Sequence, residues 1–475
     1  MPGRMQSVVR RGRAAARRVG LRAGAAQMDI TPPLGIQIAG DIGRRRPAEV
    51  VLDPLFAKAL VLENAGRKLC VISLDVTVVT REWTNRIRHE VGRFGLEPEA
   101  VMVHAVQNHA APGIGHFMVV GESEYVPPDL WWLRGGDDRY NDFALSRIIE
   151  AVRLANDSLE PARVGWGSGI EARVAFNRRF VMRDGSIKTH PRVGDPNILH
   201  CEGPMDPELG VMCINNPALR TLAMLLHYTC HPVHGYPMRY ITAGWPGAWA
   251  EEIRRAYGRE VVPLIFNGCC GNIHHRNHLD PTQIDDWRRM GRLLAETTDS
   301  VLKGLVWQEQ SSLDWRVKRV RIPLRALEAS EVEKARQLLA KHPQPMWRDD
   351  TRTSIEWDWV YAVALLDLQA QIQKRPEMEY EVQTFRVGDL ALVGLGGEPF
   401  VEGQLRIKQV SPAKRTYVAH MCNECAGYIP TAEAFRRGGY ETRTANWSKL
   451  APEALDRIVE AAIELLRNLF SQGVG

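Results

Sequence analysis

The chain has 475 residues, 45% apolar and 25% charged, which suits a globular protein with a sizeable core and argues against disorder, collagen or a coiled coil. No apolar run reaches the roughly eighteen residues that a bilayer span needs, so no integral membrane segment is expected. The net charge of +5 comes from the N-terminus: the first 25 residues hold seven arginines and no acid, leaving the rest at about −2, and a basic stripe without interleaved aromatics indicates no nucleic-acid partner.

Residues 1–22 read as a basic flexible tail and residues 23–475 as one large domain. The eight cysteines include one Cys-x-x-Cys, Cys422 and Cys425, where a zinc ribbon needs two such pairs. Reduced, largely buried thiols in a cytoplasmic protein are the expectation.

The predicted elements begin with a β-branched apolar run from Lys68 to Asp75. Helical spacing follows from Glu82 to Phe94, with Gly95 as a stop, and then a second strand from Ala100 to Val106. The pattern recurs with a strand over Thr221–Tyr228, a helix over Ala248–Tyr257 and a strand over Val261–Phe266. The strand pair Glu381–Val387 and Leu390–Leu395 turns at Gly388-Asp389. Ala329–His342, Ser354–Lys374 and Pro452–Phe470 read as amphipathic helices, with Trp357 and Trp359 expected in the core. Strand–helix–strand units define an α/β fold.

Four polar loops follow apolar strands, where a rigid scaffold presents chemistry. They are Gln107–Gly113, Thr229–His234, Phe266–His275 and Gly396–Pro399, the last followed at a distance by Gly427–Thr431. A histidine just after a strand can aim one ring nitrogen into a cleft while a carbonyl holds the other, or it can be a satisfied structural residue. Two such histidines with a loop carboxylate and a tyrosine supply the N/O donors of a catalytic zinc.

Taken in order, short stretches of the chain resemble the neutral ceramidase family over residues 24–442. They run from Gly24 to Gly35, with Asp29-Ile30-Thr31, through Asp53-Pro54-Leu55, Asn177-Arg178-Arg179 and Asp206–Val211. They continue with Thr229-Cys230-His231-Pro232, Asn267–Asn272 and Gly397–Phe400, and close on Gly427–Thr431 and Gly438–Glu441. The resemblance implies a catalytic domain of the neutral ceramidase type, with mixed sheets and flanking helices. It also implies one zinc held by His231, Glu398, Tyr428 and a further histidine, with a metal-activated water attacking an amide. Tyr440 falls where a phenol orients or polarises the scissile carbonyl.

The family's His-Thr-His-Ser-Gly-Pro loop reads Gln107-Asn108-His109-Ala110-Ala111-Pro112 here, so the first histidine has become Gln107. His109 then either reaches the metal or hydrogen-bonds behind the site. Because glutamine suits harder ions better than zinc, the identity of the metal stays open. The Asn-Gly loop carries His274 where the family has a serine. His274 is either a general acid–base or a ring held by backbone bonds at a turn, and its spacing to His278 would suit a rival metal pair if helical. Arg178 or Arg179 meets a polar group of the substrate or forms a surface ion pair.

The function expected is a cytoplasmic, metal-dependent hydrolase of a small-molecule or lipid-like amide. The alternatives are a family member repurposed for lyase or carbohydrate chemistry and a non-catalytic binding protein.

Overall fold

The structure is a computed structural model, and it describes residues 20–119, 125–308 and 311–471. Residues 1–19 of the expected tail lie outside the described residues, whereas Arg22 opens the first strand and pairs with Glu63 at 2.7 Å.

Three mixed sheets share a central core. In the first, Val101–Ala105 runs parallel to Arg67–Leu74, followed by Phe56–Asn64 and Arg22–Asp29 in antiparallel order. In the second, Val262–Asn267 is parallel to Thr221–Tyr228, with Glu208–Asn215 and Arg163–Ile170 beyond. The third orders Leu313–Pro323, Glu377–Val387, Leu390–Leu395 and Arg415–Ala419, the last pair parallel.

The inner strands Arg67–Leu74, Val101–Ala105, Thr221–Tyr228, Val262–Asn267 and Leu390–Leu395 are buried on both faces, which is why they are continuous apolar runs, whereas the outer strand Leu313–Pro323 alternates. Successive side chains leave a strand on opposite faces. Leu60, Leu62, Leu69 and Val71 therefore enter the central core with Leu225, Phe266, Phe385 and Leu392 from the other two sheets. Their neighbours Ala59, Val61, Cys70 and Ile72 pack outward with Ile87, Tyr140 and Ile148 of the helices Arg81–Val91 and Asp138–Asp157. The helices Gly244–Tyr257 and Trp287–Leu302 cover the second sheet through Trp249 and Leu294, and Ala454–Phe470 covers the third through Ile458 and Leu466.

The strands and helices predicted from the pattern form within a few residues of their expected ends. The helix from residue 354 differs. It starts at Trp357 and is buried on every side from Trp359 to Leu368, packing against the helix Ala329–Lys341 and the segment Pro128–Arg134. A helix enclosed in this way has no polar face over those turns. Trp359 is core as expected, but Trp357 is exposed and lines a cleft.

His104 belongs to this framework. Its Nδ1–H donates to the carbonyl of His420 at 2.8 Å, and its Nε2 accepts the backbone N–H of Asn267 at 3.0 Å. Protonation would remove that acceptor, and burial pushes the ring down to about 3 from 6.5. The folded-state value lies below the unfolded one, so the stabilisation is complete above about pH 6.5 and is lost as the pH falls toward 3. The contribution falls by about 1.4 kcal/mol per pH unit. Other buried histidines add slopes of the same sign, so in urea denaturation from pH 7 to pH 4 the loss of stability is expected to be shallower in His104→Gln than in the wild type by about 1.4 kcal/mol per pH unit.

Candidate active site

The polar loops leave the C-terminal ends of the parallel strand pairs, and Asn267 fastens them together. Its side-chain oxygen accepts the N–H of Cys230 at 3.1 Å, and its amide donates to the carbonyls of Val106 and Cys230 at 3.0 Å each. The His109 N–H donates to Pro232 at 3.1 Å, and His231 forms a parallel bridge with His274. Glu398 and Tyr428 pair as parallel neighbours, and the Gly271 N–H donates to Pro399 at 3.1 Å. Six of the seven expected residues, His109, Arg178, His231, His274, Tyr428 and Tyr440, thereby line one cleft of about 950 Å³, and Glu398 lies behind its wall.

The two histidines after the strands face each other, Nε2 to Nε2, at 2.9 Å. His109 donates from Nδ1 to the carbonyl of Gly40 at 2.9 Å, so its Nε2 is an acceptor and His231 supplies the hydrogen. The Nδ1 of His231 is then an acceptor, with the Arg178 guanidinium at 3.5 Å. Both rings are neutral in this chain of bonds. Burial, aided by Arg46, pushes His109 down to about 3, and burial, His109 and Arg178 hold His231 well below 6.5.

Arg178 and Arg179 are not surface groups: both are buried, and Glu441, itself fully buried, binds them together. Arg178 donates to Glu441 at 2.9 Å and to the carbonyl of Gly271 at 2.6 Å, with its guanidinium carbon 5.5 Å from the centre of the Tyr428 ring. The rings of Tyr428 and Tyr440 meet edge to face, 5.7 Å apart. Burial, together with Glu398 for the first and Tyr428 for the second, raises both phenols well above 10, so both remain donors.

Glu398 is buried behind His231, with Oε2 4.0 Å from its Nδ1 and without a hydrogen-bond partner. Burial pushes its carboxyl up to about 7, opposed by Gln107, Arg178 and Tyr428. Gln107 has a left-handed backbone, φ 67°, and its side-chain oxygen lies 3.7 Å from the Cys270 thiol. Glu398 and His109 thus sit on opposite nitrogens of the His231 ring. The four donors His109, His231, Glu398 and Tyr428 share one neighbourhood without closing around one point, so the fit to a single zinc fails in this arrangement.

His274 is fixed by a backbone bond at the turn: its Nδ1 accepts the N–H of Arg276 at 2.9 Å, and its ring lines the cleft beside His190, 4.5 Å between centroids. The segment from Arg276 to His278 is not helical, so His274 and His278 do not form the i, i+4 pair. Asn272 caps the helix Val401–Val410 by accepting the N–H of Val401 at 3.0 Å. Cys422 and Cys425 are unpaired, as are the other six cysteines.

Sequence reasoning missed Glu441 and a second group in the wall of the cleft. Among the described residues, one set of three His, Cys, Asp or Glu side chains brings its ligand atoms within 4.8 Å of one another, and it is His234, His275 and Asp285. The signal for Glu441 lay beside Tyr440 in the stretch Gly438–Glu441. That for His234 and His275 lay inside the second and third polar loops.

Fold and site define an α/β protein with a histidine-, arginine- and tyrosine-lined cleft at strand ends. No protein-family model matches the chain, and no curated protein matches it in sequence. Among solved structures it is similar to neutral ceramidase from Pseudomonas aeruginosa, with a TM-score of 0.71 and 17% identity over 95% of this chain and 75% of that one. A ceramidase complexed with C2 gives a TM-score of 0.71 and 16% identity over 95% of this chain and 76% of that one. The fold is that of neutral ceramidase, in a chain far diverged from it in sequence.

Glu441→Gln leaves two buried guanidiniums with one anion fewer, and a loss of about 3–5 kcal/mol is expected in chemical denaturation. Gly40 has φ 80°, and a Cβ there would meet the Nδ1 of His109 at 2.5 Å. Gly40→Ala is therefore expected to cost at least about 1 kcal/mol in the same measurement and to displace His109 from His231.

Proposed function

We propose that this chain is a hydrolase that cleaves a carbon–nitrogen (amide) bond in a small-molecule or lipid-like substrate bound in the cleft. The observation that carries this reading is the buried Arg178, held by Glu441, beside His231 and under the ring of Tyr428. Water attack on an amide carbonyl places negative charge on oxygen, and fixed cationic and phenolic donors in a water-poor site favour that charge. Arg178, Tyr428 and Tyr440 are the donors available to it. The proton of the attacking water needs a neutral base at the cleft wall, and the departing amine needs a proton back. His231 can serve both needs. The proton enters at Nδ1, the acceptor of the neutral ring, while Nε2–H stays on His109, and the unpartnered oxygen of Glu398, 4.0 Å from Nδ1, would steady the imidazolium.

Zinc, which the family resemblance implies, is not assigned to His109, His231, Glu398 and Tyr428, and no step above passes through it. A cytoplasmic setting is part of the proposal and is supported by eight unpaired cysteines.

The test is incubation of the full chain with N-acyl amides of graded chain length, with and without sphingoid character, and mass spectrometry of the released acid and amine. Cleavage is expected, with kcat/KM lowered about 100-fold or more in His231→Ala and in Tyr440→Phe. Failure to cleave any amide, or turnover indifferent to both substitutions, would sink the reading.

A further inference from the structure

Seven of the fourteen histidines line the one cleft, and the proposed reaction uses only the end nearest Arg178. Elsewhere in its wall the loops after Thr221–Tyr228 and Val262–Asn267 deliver His234 and His275, whose rings stack with centroids 3.5 Å apart. The segment leading into the helix Trp287–Leu302 brings Asp285 to the same place. One oxygen of Asp285 lies 2.6 Å from His275 Nδ1 and 3.2 Å from His234 Nε2.

This cluster is built, not incidental. Gln283 clamps its two segments by donating to the carbonyl of His275 at 2.9 Å and accepting the N–H of Asn277 at 2.6 Å. The His275 side chain is 5% exposed and that of His234 4%, and each keeps a ring nitrogen, His275 Nε2 and His234 Nδ1, without a hydrogen-bond partner. Buried ring nitrogens normally find partners. Two stacked imidazoles thus converge on one carboxylate oxygen through His275 Nδ1 and His234 Nε2, and the unanswered nitrogens are the opposite atoms of the two rings.

We propose that His234, His275 and Asp285 bind a divalent transition-metal ion, with zinc as the fitting probe. Two imidazoles and one carboxylate are a donor set that such ions take in sites with a position left open for water or substrate. The cluster faces the cleft, so that open position would look onto the bound molecule. The site is distinct from the His109–His231 pair, and the ion it holds is not one the hydrolytic steps above require.

The experiment uses the purified full chain, stripped with a chelator, desalted and titrated with Zn²⁺ alone. Calorimetry gives the affinity, and elemental analysis after desalting gives the stoichiometry. One Zn²⁺ per chain is expected in the wild type and in His231→Ala. Asp285→Asn and His234→Gln, two conservative changes checked for intact fold by circular dichroism, are expected to weaken binding by about 100-fold or more. No zinc uptake by the wild type, undiminished uptake by both variants, or loss in His231→Ala would overturn the assignment. Amide turnover is a separate readout: a chain that cleaves amides without taking zinc overturns this site and leaves the hydrolase reading standing. An inert chain that takes one zinc here does the reverse.

Discussion

The cleft depends on one buried carboxylate. Glu441 holds Arg178 at 2.9 Å and Arg179 at 2.7 Å, and accepts the hydroxyl of Thr189 at 2.9 Å. Two guanidiniums without exposure would be prohibitively costly alone, and Glu441, with Glu202 on Arg179, supplies the opposing charge. The backbone must come very close to allow it. Gly439, φ 106°, passes Arg179 so tightly that a Cβ would lie 2.4 Å from its Nη1. The stretches Asn177–Arg179, Asn267–Asn272 and Gly438–Glu441, far apart in sequence, thus become one object. Arg178 binds Gly271 on one side and Glu441 on another, and presents what remains to His231 and Tyr428.

Much of the framework could be read from the sequence because the inner strands are covered on both faces. A strand enclosed on two sides is a short apolar run bounded by turn residues, and Lys68–Asp75 and Thr221–Tyr228 have that form. The position of the chemistry was also legible, since polar loops after such strands have few other places to go. Periodicity could not tell that the helix from Trp357 loses its polar face, because the neighbour enclosing it, Ala329–Lys341, meets it only in three dimensions. The same holds for the arginines. Exposure is the default for Arg178 and Arg179, and only contact with residue 441, more than 260 positions away, reverses it.

The candidate site was legible as a set of residues but not as a geometry. His109, His231, Tyr428, Tyr440 and Arg178 do meet in the cleft, and His274 joins them as a wall ring tied to Arg276. What no spacing could show is the side from which each approaches. Glu398 reaches His231 from the Nδ1 side and His109 from the Nε2 side, so one imidazole separates two groups expected to share an ion. Gln107 fits this arrangement. Its amide lies among Glu398 and Cys270, where it tempers a buried carboxyl.

Charge decides how the two ends of the cleft differ. At the His109–His231 end the permanent charge on the wall is the cation Arg178, whose anion, Glu441, is already shared with Arg179. Both rings there are held neutral and satisfy each other, from the guanidinium through His231 and His109 to the carbonyl of Gly40. A dication entering that chain would meet a guanidinium 3.5 Å from one of its ligands and would have to reverse the His231 tautomer. At the other end the group between the two imidazoles is an anion, Asp285, and the rings converge on it while their second nitrogens stay unanswered. Coulomb attraction to Asp285 works for a cation there, opposed by Arg276 beside His275, and the donor atoms are already gathered. The chain keeps the neutral ceramidase fold, and within its cleft the residues best arranged for a metal, around Asp285, are not those best arranged for an oxyanion, around Arg178.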